Sequence, residues 1–333
     1  MKKRKLGTNG TEVSAVGYGA MSLVNFYGPL DDAGSDAILA KAVELGIDHI
    51  DTSNAYGAGK SEERIGQFLA KQGGNSNDLF KIATKAGITR DADGNRKFDN
   101  SAAHLEAELD KSLQRLGVDQ VALLYVHRRD PSIPIEEVTE TLAGFVKSGK
   151  IGQFGYSEIA PTSLALAQAI HPVGAVQSEY SLSTRSPEMG LVQKTAEYGT
   201  SLVAFSPVGR SLLTDTPHSY EKSQTVDFLK TNPRFMEPNL GRNIAVTDGL
   251  RGLAREMGVA TSTLAIAWLL HQGDNVLPIP GTRSVEHLEE LAAGADLTLS
   301  ETDLAAIDAL LPIGWAHGDR YTVGQWVGPE KYC

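Results

Sequence analysis

Four side chains of unlike chemistry, Asp51, Tyr56, Lys85 and His127, each end or closely follow a short apolar run, and together they would make an acid for a carbonyl oxygen. A phenol titrates near 10 and keeps its proton at neutral pH unless a nearby cation favours the phenolate. Lys85 is placed to be that cation. Making the phenol a hundredfold stronger acid corresponds to about 2.7 kcal/mol, within reach of one ammonium in a partly desolvated cleft. Asp51 would keep the ammonium charged and aimed, while a neutral His127 imidazole would hydrogen-bond the oxygen that receives the proton. Each also has an ordinary role: Asp51 as a loop or cap carboxylate, Lys85 as a solvated strand-end charge, Tyr56 as a rim residue.

The set works only if a fold carries all four to one place. Short apolar runs at 15–19, 47–51, 80–84, 121–126, 151–155, 173–177, 201–205 and 275–279 read as strands. Helical stripes lie between them, such as Leu105, Leu109 and Leu113, or Val138, Leu142 and Phe145. Gly46, Gly117, Gly149 and Gly199 close helices just before the next strand. Alternation of this kind demands parallel pairing through right-handed crossovers, and its economical closed form is a (β/α)8, or TIM, barrel. In such a barrel the strand ends converge on one face. There the sequence collects Asp51, Lys85, His127, Ser157, Gln177, Phe205 with Ser206, and Gly281 with Thr282. Residues 1–333 read as one barrel domain: an N-terminal hairpin at 1–14 turning at Asn9-Gly10 as a two-residue type I′ turn, a long functional loop at 207–241 and a tail at 312–333.

Composition narrows the function. With 31 Lys and Arg against 41 Asp and Glu the net charge is −10, the wrong sign for a nucleic-acid partner. The longest apolar run, Leu264 to Leu270, is far below the roughly 18 residues of a membrane span. Cys333 is the sole cysteine, and the basic start Lys2–Lys5 leads into a polar, Gly-rich stretch instead of a signal sequence, so a cytoplasmic setting is expected. The eight histidines lack metal-ligand spacing, and no metal is expected. PIPGTRSVEHLEEL, 278–291, joins a buried strand to a helix whose first amide groups, near Thr282 and Ser284 with Arg283 beside them, would favour a phosphate.

Taken together, MSLVNFYGP (21–29), GIDHIDTSNAYG (46–57), ATKAG (83–87), LLYVHRRD (123–130), GYSE (155–158), VQSEYSL (176–182), VAFSPVGR (203–210), RFMEPNLGRN (234–243) and PIPGTRSVEHLEEL make a chain that resembles the aldo-keto reductases of bacterial and fungal type, near the aryl-alcohol dehydrogenase and pyridoxal reductase groups. The resemblance implies that Tyr56 donates the proton, that Asp51, Lys85 and His127 complete a tetrad, and that hydride comes from the nicotinamide C4 of a reduced cofactor. It implies that Ser157 and Gln177 hold the carboxamide, that Phe205 stacks on the nicotinamide, and that Ser206, Val208, Gly209 and Arg210 clamp the pyrophosphate. Gly281, Thr282, Arg283, His287 and Glu290 fall where the family meets the adenosine phosphate and adenine. Glu158 stands where an asparagine is common, His287 where an arginine is, and Leu291 where an asparagine is. NADP(H) is the expected cofactor because Arg283 is close by, with NAD(H) as the alternative because an imidazole is a weaker phosphate partner than a guanidinium.

The activity so implied is reversible reduction of an aldehyde or ketone, with Asn25, Phe26, Tyr27 and Trp315 walling the pocket of a small-molecule substrate. Two other readings compete. A cofactor-binding regulatory subunit, like the channel β subunits that resemble this family, would bind NADP and turn over little; an interaction extension ahead of the hairpin is expected of it, and its lack favours the enzyme. A Schiff-base aldolase would use Lys85 as nucleophile, but a lysine beside a carboxylate is a poor neutral amine.

Overall fold

The computed structural model describes residues 1–8, 10–73 and 79–332. β1 (Lys3–Lys5) and β2 (Glu12–Ser14) pair antiparallel, with Lys5 opposite Glu12 and the Leu6 N–H donating to the Thr11 carbonyl. The connection therefore spans residues 7–10, longer than the two-residue turn expected from Asn9-Gly10; Asn9 itself lies outside the described residues. Leu6 and Val13 enter the inner core and plug the base of the barrel.

β3 (Tyr18–Gly19), β4 (His49–Asp51) and β5 (Lys81–Ala86) are parallel neighbours. A short antiparallel hairpin, β6 (Ile88–Arg90) with β7 (Arg96–Phe98), then rises beyond β5, an addition to the eight strands expected. β8 (Val121–Val126), β9 (Ile151–Ser157), β10 (Ala175–Glu179), β11 (Ser201–Phe205) and β12 (Val276–Pro278) complete an eight-stranded parallel sheet. All eight expected strands are present. The sheet closes on itself because the Gly17 and Gly19 N–H groups donate, each at 2.9 Å, to the Pro278 and Pro280 carbonyls.

Helices α1 (Asp32–Glu44), α2 (Lys60–Gln72), α3 (Ala102–Leu116), α4 (Ile135–Lys147), α5 (Pro161–Ile170), α6 (Leu191–Tyr198), α7 (Tyr220–Gln224), α8 (Asn239–Glu256), α9 (Thr261–His271), α10 (Val285–Ala293) and α11 (Glu301–Leu310) succeed one another in chain order. Gly46, Gly117, Gly149 and Gly199 all adopt positive φ, the left-handed conformation that ends a helix without a Cβ clash. The 207–241 segment is partly helical, with α7 and a small cluster of Leu212, Val226, Leu229, Phe235 and Leu240 of its own. Among the described residues no helix is long and apolar enough to cross a membrane.

The strand period of two positions the site. Ile82 and Ala86, Leu124 and Val126, and Val176 pack outward against the helices. Ala83, Leu123, Tyr125, Ala175 and Val203 fill the interior. Two residues beyond an inward apolar position, at the upper strand ends, come Lys85, His127, Gln177 and Phe205. Gly155 makes room: a Cβ there would meet the Tyr125 ring at 2.9 Å and the Ala175 carbonyl at 2.3 Å.

Candidate active site

β4, β5 and β8 bring the four expected residues together. Lys85, fully buried, donates to the Asp51 carboxylate, to the Thr52 carbonyl at 2.8 Å and to the Tyr56 hydroxyl at 3.3 Å. These three bonds match the three N–H groups of an ammonium. Its nitrogen lies 5.0 Å from the Tyr56 ring centre and 5.7 Å from that of Tyr125. Asp51 also accepts from the Gln177 amide at 2.7 Å, so Gln177 supports the carboxylate in addition to the role expected of it. His127 Nδ1 faces the Ser53 hydroxyl at 3.1 Å, and its ring meets Tyr56 edge-on, centres 5.8 Å apart.

Burial is the largest influence on every proton here. It drives Lys85 down, yet Asp51 and Tyr56 carry the amine above its ordinary value, so it is an ammonium. Burial raises Tyr56, with Lys85 pulling the other way and Asp51 adding to the rise. The net direction is up, which corrects the expectation of a phenol made more acidic than a free one: the cation offsets only part of the cost of burying a phenolate. Burial, then Arg128, Lys85 and Arg96, hold His127 well below its ordinary value, which leaves a neutral imidazole.

The opposite side of the barrel mouth is built differently. Ser157 ends β9 and accepts from Arg128 at 2.9 Å. Glu158 sits at φ 61° and its buried carboxylate is gripped by Arg320, by the Ser178 hydroxyl at 3.2 Å and by the Glu179 N–H at 2.8 Å. Glu179 is fully buried and meets Arg210 at 2.5 Å, Arg320 at 3.4 Å and Arg234 at 3.8 Å. Burial pushes both carboxyls up, but the guanidinium charges carry each below its usual range. Arg210, expected in a pyrophosphate clamp, thus has its charge matched inside the protein, and it lies over Phe228 and Tyr321 at 5.1 and 5.6 Å. The role of free phosphate cation does not suit it.

Phe205, half-buried, ends β11 against the inner core; Val208 packs against the outer layer. Ser206, Arg210 and Ser211 hold φ of 50°, 55° and 91°, with Gly209 at 57° between them. Such conformations cost an L-residue about 1–3 kcal/mol and collect where surroundings over-determine the backbone. After β12, the Ser284 hydroxyl caps α10 by accepting from the His287 N–H at 3.1 Å, and Thr282 Oγ1 accepts from the Ser284 N–H at 3.1 Å. Arg283 donates to the Pro29 carbonyl at 3.1 Å, and Glu290 accepts from Ser262 at 3.2 Å. Gly281 lies against Ser22 and the Gly19 carbonyl, a seam that a Cβ would fill.

Of the expected pocket wall, Asn25 accepts from the Leu30 N–H at 3.2 Å, and Phe26 meets Tyr27 and Phe228 with ring centres at 4.9 and 5.5 Å. Burial raises Tyr27 to about 12 although Arg210 opposes it. Trp315 is a correction: it belongs to the outer core, its indole N–H donating to the Leu182 carbonyl at 2.7 Å. The tail contributes Tyr321 and Trp326 instead, their ring centres 5.5 Å apart. A cavity of about 770 Å³ opens at the other end of the barrel, under β1, and no site residue lines it.

A dinucleotide fits this donor set at its phosphate end, where the α10 N-terminus offers amide groups and Arg283 a guanidinium to an anion, with the His287 side chain on the first turn of the same helix. At Arg210 the fit is poorer, because Glu179 already neutralises that guanidinium.

The Aldo/keto reductase family model matches residues 15–312. The chain is 37% identical over 321 residues to probable aldo-keto reductase 1 of Glycine max, covering 96% of this chain and 92% of that protein. It is 35% identical over 325 residues to aldo-keto reductase yakc of Schizosaccharomyces pombe, whose name carries NADP(+), covering 96% and 94%. Among solved structures it is similar to a glycerol dehydrogenase from Gluconobacter oxydans, with a TM-score of 0.82 at 25% identity over 93% of this chain and 94% of that one. A holo-form aldo-keto reductase from Bacillus halodurans gives 0.78 at 25% identity over 93% and 96%.

Proposed function

The chain belongs to the aldo/keto reductase family and is a nicotinamide-dependent oxidoreductase; from that premise we propose that it reduces aldehydes or ketones to alcohols with NADPH, reversibly, with Tyr56 as proton donor. The observation that carries this reading is the single chain of contacts from Asp51 through Lys85 to the Tyr56 hydroxyl. When bound, the nicotinamide supplies hydride to the carbonyl carbon. Tyr56 then gives its proton to the oxygen as negative charge develops there, and the Lys85 ammonium stabilises the phenolate left behind. A neutral His127 that accepts the Ser53 hydroxyl at Nδ1 carries its proton on Nε2, where it can orient the same oxygen.

Arg283, with His287 beside it, would favour a phosphorylated cofactor, and the name of the Schizosaccharomyces pombe relative points the same way. The Schiff-base alternative loses support because Lys85 is held charged and fully bonded. The test is NADPH oxidation by the purified protein across nitrobenzaldehydes, pyridoxal and bulky ketones. Turnover with some of these is expected. Tight NADPH binding with no turnover on any would contradict the enzyme and favour a regulatory subunit.

A further inference from the structure

Arg128 comes directly after the tetrad histidine and is 8% exposed. One of its terminal nitrogens donates to the His127 carbonyl at 2.6 Å and to Ser157 Oγ at 2.9 Å. Its Nε is buried and has no hydrogen-bond partner. Among the described residues it forms no ion pair, and neither does Arg96 on the β6–β7 hairpin, close enough for each guanidinium to be felt by the other and by His127. The carboxylate that Arg128 influences is that of Glu158, already held by Arg320, Ser178 and the Glu179 N–H. A buried cation without a counter-charge is costly, so the buried Arg128 guanidinium, with the more exposed Arg96 near it, is suited to an anion from outside.

The strand order identifies which anion. In the closed ring β8 stands across the barrel from β12, and the helix after β12 offers the phosphate-binding end. Arg128 therefore lies away from the phosphate-binding end, beside His127 and Ser157. The tail backs it, since Gly328 lies against the side-chain stem: a Cβ there would approach Arg128 Cδ to 3.3 Å.

We propose that Arg128, assisted by Arg96, selects carbonyl substrates that carry a carboxylate near the reacting group, the guanidinium donating to that carboxylate from the terminal nitrogen that makes no other hydrogen bond among the described residues. This rests on the carbonyl-reductase reading and names its substrate class. A planar guanidinium suits a planar carboxylate, and charge-assisted bonds of this kind are the stronger ones.

The test compares kcat/KM for 2-, 3- and 4-carboxybenzaldehyde with their methyl esters, which keep the reacting aldehyde and remove the charge. For at least one isomer the wild type should prefer the carboxylate by about tenfold or more. Arg128→Met should bring that ratio to about one, Arg128→Lys should keep part of it, and Arg96→Met, on an exposed hairpin, should lower it less. A wild-type ratio of one or below for all isomers, or a ratio unchanged in Arg128→Met, overturns the proposal. So does loss of NADPH affinity with the ratio intact, which would assign Arg128 to the cofactor. If neither acid nor ester is turned over, the panel of nitrobenzaldehydes, pyridoxal and bulky ketones decides the carbonyl-reductase reading, and a benzoate titration decides the Arg128 claim separately: saturable binding lost in Arg128→Met and partly kept in Arg128→Lys supports it, and no binding to the wild type contradicts it.

Discussion

The two halves of the barrel mouth are assembled on different principles. On the β4, β5 and β8 side, one ammonium bonds to three oxygens, with Asp51, Thr52 and Tyr56 all within 34 residues of Lys85. On the β9, β10 and β11 side, buried carboxylates at Glu158 and Glu179 gather Arg210 and Arg234 from the long connection and Arg320 from the tail. The first half is organised for proton transfer. The second fastens the long connection and the tail over the strand ends, and the tail adds ties through Glu330, its N–H to the Glu158 carbonyl at 2.8 Å and its carboxylate to the Ala160 N–H at 2.7 Å. Substitutions at Tyr56 and at the buried carboxylates should therefore differ in kind: chiefly rate at the first, stability and loop order at the second.

The largest effect is expected at Tyr56. Tyr56→Phe should lower kcat for carbonyl reduction by about 10²–10⁴-fold, the usual worth of a positioned acid, while NADPH binding measured by fluorescence titration is kept. Undiminished turnover would remove Tyr56 from the proton path. Next comes Glu179→Gln, which leaves three arginines around a fully buried site short of their counter-charge and should cost about 3–5 kcal/mol in a denaturant melt. An unaltered melt would mean that the ion cluster does not fasten the loop and tail.

The same carboxylates predict the acid limb of stability. Glu158 and Glu179 are both depressed in the folded protein, so their contribution is fully present above the unfolded carboxylate value and is lost as pH falls through the folded one. The glutamine variant should accordingly show a shallower loss of stability with falling pH, which melts between about pH 6 and 3 would check. The smallest change is His287→Arg, a surface substitution at the α10 N-terminus that should shift the NADPH-to-NADH preference by about two- to fivefold. An unchanged ratio would take His287 out of the phosphate site.

Legibility in the sequence divides along the same line. Short apolar runs and helix-ending glycines locate all eight barrel strands, and the residues at the strand ends give Asp51, Lys85 and His127 directly. Glu179 is readable in principle, two positions beyond Gln177 on the same inward face of β10, but its partners are not: Arg320 lies 162 residues from Glu158 and no local pattern links them. The β6–β7 hairpin carries a turn signal at Asp93-Gly94, where Gly94 has φ 81°, yet its strands are polar and show no apolar alternation. Trp315 misleads because a tryptophan near a barrel mouth serves a core as readily as a pocket; its bond to the Leu182 carbonyl decides for the core. The direction of the Tyr56 shift depends on total burial, which spacing along the chain does not disclose.

The central claim is that Lys85, at 3.3 Å, makes Tyr56 easier to ionise than burial alone would leave it. Alcohol oxidation needs the tyrosine to accept a proton, so its rate should rise as pH approaches the value at which Tyr56 ionises. The most direct measurement is the pH profile of kcat/KM for alcohol oxidation in the wild type and in Lys85→Met. The account predicts that this limb moves to higher pH and loses amplitude in the variant; a limb at the same pH in both proteins would contradict it.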